Sequence, residues 1–494
     1  MPPLILWIIA AGFLLKAPVF GAPLIGHFGS YQIVNAMMAR AMDFKDLESW
    51  LAPRTSMLMD GHPALHLIYY PFGSLAAAVL NILPGSLDFW GRFQAAAFMA
   101  LSSLLFWRLI KPYLSDRESI FSITLFVFSP LCLIYGIALQ NEAAALFFQL
   151  AAFSLILKPG LTAAFFGGIL FSLSLLARLH FVFLLPVFLL PLFCFFKDFR
   201  RPLLFVSGVI LPAGLWFAYT WVLQQSRGDE IMTSLFMQAG EGRILSLDVL
   251  FSAEFLQRFL KGVCLWVTPI MIPIALGGAW VGRFRNPVRL ALLSVFCSAS
   301  TAVLLPQKVM DHSFYLMAGV PGMCVLAGAG LELLLSRKGR VWAAAILGVF
   351  FLMTIRYYKG PAAESFSSHA RHLQSVGWTV ESLTQEGDLI AAQSGTSPEL
   401  LYYTGRRGWP FNMEMAPGDL TLQNRHQVLK SQGYGYPERW LEHLIRQGAD
   451  YLVISDLPGL SKLTGFETYL SSRYKFSEYP ENKFRIYDLK ESLS

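Results

Sequence analysis

Long apolar runs, separated by short polar or basic stretches, fill the first three quarters of the chain. Each approaches the roughly 20 residues that a helix needs to cross a bilayer, and the pattern predicts a polytopic α-helical membrane protein. The runs are Leu4–Leu24, Ala64–Leu83, Phe89–Ile110, Ile120–Leu139, Ala143–Leu157, Leu161–Ala177, Leu179–Phe196, Leu203–Leu223, Val263–Val281, Val288–Leu305, Phe314–Leu335 and Val341–Tyr357. Leu4–Leu24 reads as a retained first span, with Lys16 snorkelling to the far interface. From Lys359 onward charges become frequent and apolar runs shorten. There Asp388–Ala392 and Tyr451–Ile454 read as buried strands and Phe484–Tyr487 as an edge strand, while Ser397–Tyr403 and Leu441–Gln447 read as helices. The chain thus divides into a transmembrane domain over 1–358, with a first outer loop at 25–88, and a small C-terminal α/β domain over 359–494. Inside the loop, Ile33–Met42 is amphipathic enough for a short surface helix.

Charge decides which runs cross. Basic clusters lie at Arg108/Lys111/Arg117, Lys158, Lys197/Arg200/Arg201, Arg283/Arg285/Arg289 and Arg337/Lys338/Arg340. With the N-terminus in the cytoplasm, all can face the cytoplasm, as the positive-inside rule asks, only if Ala64–Leu83 does not cross. That run holds His66, two tyrosines, Pro71 and Asn81, which suits a helix lying in the interface plane. The expectation is then about 11 spans plus an interfacial helix, with 25–88, 140–142, 178–180, 224–262, 306–313 and everything after Tyr358 outside.

Composition agrees. The chain is 55% hydrophobic and only 14% charged, with a mean hydropathy of +0.50, whereas soluble proteins carry about 25% charged residues. The net charge of +7 sits mostly between apolar runs and reads as topology, not nucleic-acid binding. All five cysteines (Cys132, Cys194, Cys264, Cys297 and Cys324) lie inside apolar runs, with no metal-binding spacing, and read as small buried hydrophobes.

This topology collects polar residues on the outer face. The first loop supplies His27, Gln32, Asp60 and His62, and the turn at 140–142 supplies Gln140, Asn141 and Glu142. Arg178 and His180 come from the next outer turn, and Gln307, Lys308, Asp311 and His312 from a later one. Charges at membrane depth are costly unless they serve a wet cavity. A carboxylate can deprotonate a hydroxyl or hold a metal that does so, and Arg and Lys can bind a phosphate leaving group. Together they suit a reaction on a lipid-linked phosphate. Each also has a plainer reading. Glu142 fits an acid in the first turn of a helix. Arg178 and Lys308 fit interface anchors. His62 and His66 fit helix-start or interface residues, and Asp60-Gly-His-Pro fits a turn before a helix.

Several short stretches resemble the GT-C glycosyltransferases, especially the bacterial relatives of protein O-mannosyltransferases and of the lipid A aminoarabinose transferase. They are Gly61-His62-Pro63-Ala64, Phe89-Trp-Gly-Arg-Phe-Gln, Tyr135-Gly-Ile-Ala-Leu-Gln-Asn-Glu142, Leu175-Leu-Ala-Arg178, His312-Ser-Phe-Tyr315 with Pro321, and Leu400-Leu-Tyr-Tyr-Thr-Gly-Arg406. The resemblance implies a bacterial inner-membrane, multi-pass enzyme with its active site and C-terminal domain on the periplasmic side. It would move a sugar, with inversion, from a polyprenyl-phosphate donor to an envelope acceptor. In that reading Asp60 and Glu142 are the catalytic acids and possible ligands of a divalent metal, and Arg178 and Lys308 bind the donor phosphate. His27, Gln32, His62, Asn141, His312 and Tyr315 line the acceptor cavity. The chain departs from the family at Gly26–Asn35, which lacks the usual first-loop acid; the role then passes to Asp60 or is lost. The alternatives are a lipid or oligosaccharide transporter and an inactive relative serving as an assembly scaffold. A transporter of this kind usually shows repeated halves, which the sequence lacks.

Overall fold

The computed structural model describes residues 2–196, 198–234, 246–393, 397–413, 437–481 and 483–492. It forms two compact units. Lys197, from one of the basic clusters, lies outside the described residues.

The first unit comprises Met1–Ala22, Ile68–Leu223 and Ser234–Ala363 and is helical. Among the described residues, five helices are long and apolar enough to cross a membrane, including Leu87–Ile110 and Arg200–Ser226 of this unit. Shorter apolar helices include Glu142–Ile156 and Leu161–Ala177. Two glycines let helices meet backbone to backbone: a Cβ at Gly168 would stand 2.1 Å from the Phe205 carbonyl oxygen, and one at Gly208 2.2 Å from that of Phe165.

Several expected elements change shape here. The run Val263–Val281 is no straight span. The helices Ala253–Val267 and Met271–Gly282 meet at a bend of 75°. Thr268, which precedes Pro269, takes a φ of +64°, and a residue before proline is disfavoured from helical geometry. The run Ile120–Leu139 likewise breaks after the helix Asp116–Val127, where Ser129-Pro130 starts a short helix, Pro130–Tyr135. Lys16 does not snorkel. It is buried, and its ammonium donates to the Gly12 carbonyl at 3.0 Å. The run Ala64–Leu83 holds only one helix, Phe72–Leu80, of 9 residues. At 1.5 Å per residue it is about 14 Å long, too short for a core of about 30 Å.

The second unit comprises Pro23–Leu67, Gln224–Thr233 and Glu364–Ser494. It is larger than the expected 359–494 because part of the first outer loop completes its sheet. The strands are β1 (Arg54–Met59), β2 (His62–Leu67), β3 (Ile231–Ser234), β4 (Leu389–Gln393), β5 (Arg407–Phe411), β6 (Tyr451–Ile454), β7 (Tyr474–Tyr479) and β8 (Phe484–Ser492). Their order is β3-β2-β1-β5-β4-β6-β8-β7. β4 runs parallel to both β5 and β6, and β5 parallel to β1, whereas β6 and β8 are antiparallel. Phe484–Tyr487, expected at an edge, lies inside the sheet between β6 and β7.

The first loop also departs from expectation. Asp60 and Gly61 both take positive φ, +48° and +81°, and they join β1 to β2. Asp-Gly with two positive φ angles is the tight hairpin turn that matches strand twist. Ala64–Leu67 is therefore strand, not interfacial helix. The predicted surface helix is real, Gly29–Ala41, but most of it is buried within the unit. Arg40 fixes its end, donating to the Tyr402 carbonyl at 2.8 Å and lying 4.3 Å from the Tyr402 ring.

Candidate functional site

Two neighbouring helices in the first unit bring an acid and a base together. Glu142 is the first residue of Glu142–Ile156, and Arg178 caps the end of Leu161–Ala177. The helices are tied one turn away from both residues, where the Ser174 hydroxyl donates to the Ala145 carbonyl at 2.8 Å. Arg178 leaves helical geometry with φ −153° and ψ 101°, and a 3-10 turn, Leu179–Leu184, follows. One guanidinium nitrogen of Arg178 meets Glu142 Oε1 at 2.5 Å, with side-chain exposures of 7% and 0%.

Aromatic rings close around this pair. The Arg178 guanidinium lies 4.8 Å from the Tyr69 ring and 4.6 Å from the Phe314 ring. A cation over a ring contributes about 0.5–2 kcal/mol, more as water is excluded. The His312 ring stacks on Phe314 at 5.0 Å with 10° between planes, and His180 approaches Tyr315 at 4.7 Å. Tyr135 is buried behind them, its hydroxyl 3.1 Å from Ser313 Oγ.

Asn141 has a structural job. Its Nδ2 donates to the Tyr70 carbonyl at 3.1 Å, and its Oδ1 accepts from the Gly73 amide at 2.9 Å. The Tyr70 amide donates to the Leu176 carbonyl at 2.8 Å. These bonds hold Tyr69–Phe72 against the ends of both helices, which places the Tyr69 ring beside Arg178. A Cβ at Gly73 would stand 2.8 Å from the Gln140 carbonyl oxygen, so only glycine fits there.

Of the residues singled out from sequence, Glu142, Arg178, Asn141, His312 and Tyr315 gather at this corner. Lys308 is half-buried on the short helix Pro306–Asp311. His27, Gln32, Asp60 and His62 belong to the second unit. Asp60 is exposed in the hairpin turn, and His62 is exposed at the start of β2. His27 Nδ1 lies 3.9 Å from Glu364 Oε2, and buried Gln32 donates to the His27 carbonyl at 3.0 Å. Tyr69 and Phe314 were not singled out, because nothing in their spacing brings them to Arg178. Phe314 was visible only as a neighbour of His312.

Among the described residues no three His, Cys, Asp or Glu side chains converge on a site. The Glu142 carboxylate faces a guanidinium, which competes with a cation for it.

No family model matches the sequence, and no curated protein does. Solved structures do. ArnT from Cupriavidus metallidurans in the apo state is 14% identical, with 98% of this chain and 97% of that chain covered at a TM-score of 0.65. The chain shares its fold with ArnT over nearly its whole length. The same ArnT bound to undecaprenyl phosphate gives the same identity and TM-score, with 98% of each chain covered. The oligosaccharyltransferase of Archaeoglobus fulgidus in complex with Zn and sulfate is 11% identical, with 95% of this chain and 71% of that chain covered at a TM-score of 0.52. The likeness to ArnT thus spans both units.

Proposed function

We propose that this protein is a polytopic membrane glycosyltransferase that moves a sugar from a polyprenyl-phosphate donor to an envelope acceptor on the extracytoplasmic face. The observation that carries the reading is the end-to-end likeness to ArnT, whose structure holds undecaprenyl phosphate. About eleven spans, with the second unit on the periplasmic side of a bacterial inner membrane, belong to the same proposal. So does inversion. The acceptor oxygen bonds to the anomeric carbon as the bond to phosphate breaks. The electron pair leaves with the polyprenyl phosphate, and the acceptor's proton passes to a carboxylate.

Arg178 suits the phosphate. It keeps its charge at any working pH and carries five N–H donors. Glu142 and the two rings hold it in one orientation, so little is reorganised when charge develops on the leaving group. Glu142 is therefore a positioning residue for Arg178. Lys308 is the second proposed phosphate contact. Asp60, exposed and in the first outer loop, is the proposed proton acceptor. No step uses a metal, since the described residues offer no donor set for one.

Donor binding and product formation test these roles separately. A charge-assisted contact contributes about 1.5–3 kcal/mol, so Arg178→Ala and Lys308→Ala should each weaken binding of undecaprenyl phosphate by about ten-fold or more. Asp60→Asn should leave that binding intact and abolish glycan product in a complemented deletion strain, by mass spectrometry, at normal protein level. Unchanged donor affinity in both cation variants would leave Arg178 and Lys308 as structural anchors. Normal product from Asp60→Asn would remove it as the base.

A further inference from the structure

The first unit contains a second feature that this reading does not use: an apolar cavity of about 370 Å³. That size falls in the range of about 300–1,000 Å³ usual for small-molecule sites. Its wall is built by Phe106, Leu150, Phe153, Phe188, Leu290 and Val325, with Gln149 and Ser294 as rare polar members. Gln149 lies about 10 Å along its helix from Glu142, at 1.5 Å per residue, so the cavity begins well away from the acid–base corner.

Its mouth has a different chemistry. Tyr113 and Asn286 line it there and are exposed. Tyr113 follows the end of Leu87–Ile110, and Asn286 begins Asn286–Leu304. The adjoining turns carry Lys111, Arg283 and Arg285, and the first turn of Asn286–Leu304 carries Arg289. Asp116 meets Lys111, and Glu118 accepts two bonds from Arg285, at 2.5 and 2.9 Å. Arg289 and Arg283 remain as excess positive charge: Arg289 Nε donates to the Arg283 carbonyl at 3.0 Å, and both side chains are exposed. The Arg283 guanidinium lies 4.4 Å from the Trp280 ring and 4.7 Å from the Phe284 ring. Trp280 and Phe284 are 70% and 72% exposed. Exposed aromatics beside arginines mark the level of lipid headgroups.

An apolar slot that opens at headgroup depth beside excess positive charge fits one kind of occupant. We infer that the cavity holds an acyl chain of an anionic glycerophospholipid, whose phosphate rests beside Arg289 and Arg283. Such a lipid would be a bound structural component, taken from the leaflet at this basic end. Neither the chain in the slot nor the phosphate at its mouth depends on glycosyl transfer, so the inference stands or falls apart from the proposed reaction.

The test uses the full-length protein purified in detergent and phosphatidylglycerol bearing a fluorescent acyl chain. Saturable binding of one lipid per protein is expected, with phosphatidylcholine of the same chains at least about five-fold weaker, because each basic residue near an anionic headgroup contributes about 1 kcal/mol. Leu290→Trp, which fills the slot, should weaken binding about ten-fold or more. Arg289→Glu, at an exposed position that leaves packing unchanged, should erase the preference for phosphatidylglycerol. Non-saturable partitioning, equal affinity for the two phospholipids, or an Arg289→Glu protein that keeps its preference would each overturn the inference. So would undecaprenyl phosphate displacing the probe more tightly than phosphatidylglycerol does, which would assign the cavity to the donor's tail.

Discussion

Each unit holds a short acid–base pair, and the two pairs are nearly equal in length. Glu142 meets Arg178 at 2.5 Å in the helical unit, and Asp388 meets Lys490 at 2.6 Å in the sheet unit. Their surroundings differ. Glu142 and Arg178 have side-chain exposures of 0% and 7%, with Tyr69 and Phe314 beside the guanidinium, whereas Asp388 is 9% exposed but its partner Lys490 is 43% exposed. Distance therefore says little about what either pair is worth. Water screens the second pair, so losing it costs little. It does not reach the first, where each charge depends on the other.

The largest expected effect breaks the buried pair. Arg178→Met strands a buried carboxylate, and removing one partner of a buried pair typically costs about 3–5 kcal/mol. The melting temperature in detergent should fall sharply. Adding Glu142→Gln should recover much of the loss, since two neutral side chains then fill the corner. A double variant as unstable as Arg178→Met alone would mean that ring packing, not charge, holds the corner.

A smaller effect comes from the hairpin of the sheet unit. Gly61 sits at φ +81° with nothing within 4 Å of an added Cβ. Gly61→Ala therefore isolates backbone strain, about 1–2 kcal/mol for a left-handed non-glycine residue. Denaturant titration should show that loss and no more.

The smallest belongs to the pair whose lysine is open to water. Lys490→Met should cost no more than about 1 kcal/mol near neutral pH. The pH dependence is more telling. Burial pushes the Asp388 carboxyl up, but the hydrogen bond from Lys490 and one from the Gln385 amide outweigh it and hold the group below its ordinary value. An acid so depressed adds stability above its unfolded value, about pH 3.9, and loses it as pH falls through the folded value. Asp388→Asn should thus be less stable than the native protein at pH 6, and the gap should start to close near about pH 4 and vanish only below the depressed folded value. A gap that persists in acid would trace to packing.

The hydrophobic pattern found the helical unit because a span must be both long and apolar to be one. It also found β4 and β6, short apolar runs between polar stretches, and the break at Asp60-Gly61 as a turn. It mistook what followed. Ala64–Leu67 is apolar and precedes a real helix, so period alone could not separate strand from helix over so few residues. β5 passed unseen because Arg407-Gly-Trp-Pro-Phe411 carries a glycine and a proline inside a strand. At the candidate site, sidedness brought Glu142 and Arg178 to one face on the count of spans, but could not pair them.

By itself the sequence determined a membrane-embedded helical unit, an α/β tail and a set of polar residues at turns between apolar runs. These are local properties: hydrophobic length, strand-like alternation and charge between spans act over a few residues or along one helix. Only the tertiary structure decided that Glu142 and Arg178 form a buried pair between Tyr69 and Phe314, and that Asp60 turns a hairpin whose strands complete a sheet begun more than three hundred residues later. Those outcomes depend on which helix ends are tied together, as by Ser174 and Asn141, and on which strand edge was left open at β5. Neither is written in the spacing of any one segment, because each is a contact between segments whose separation along the chain carries no information about their distance in space.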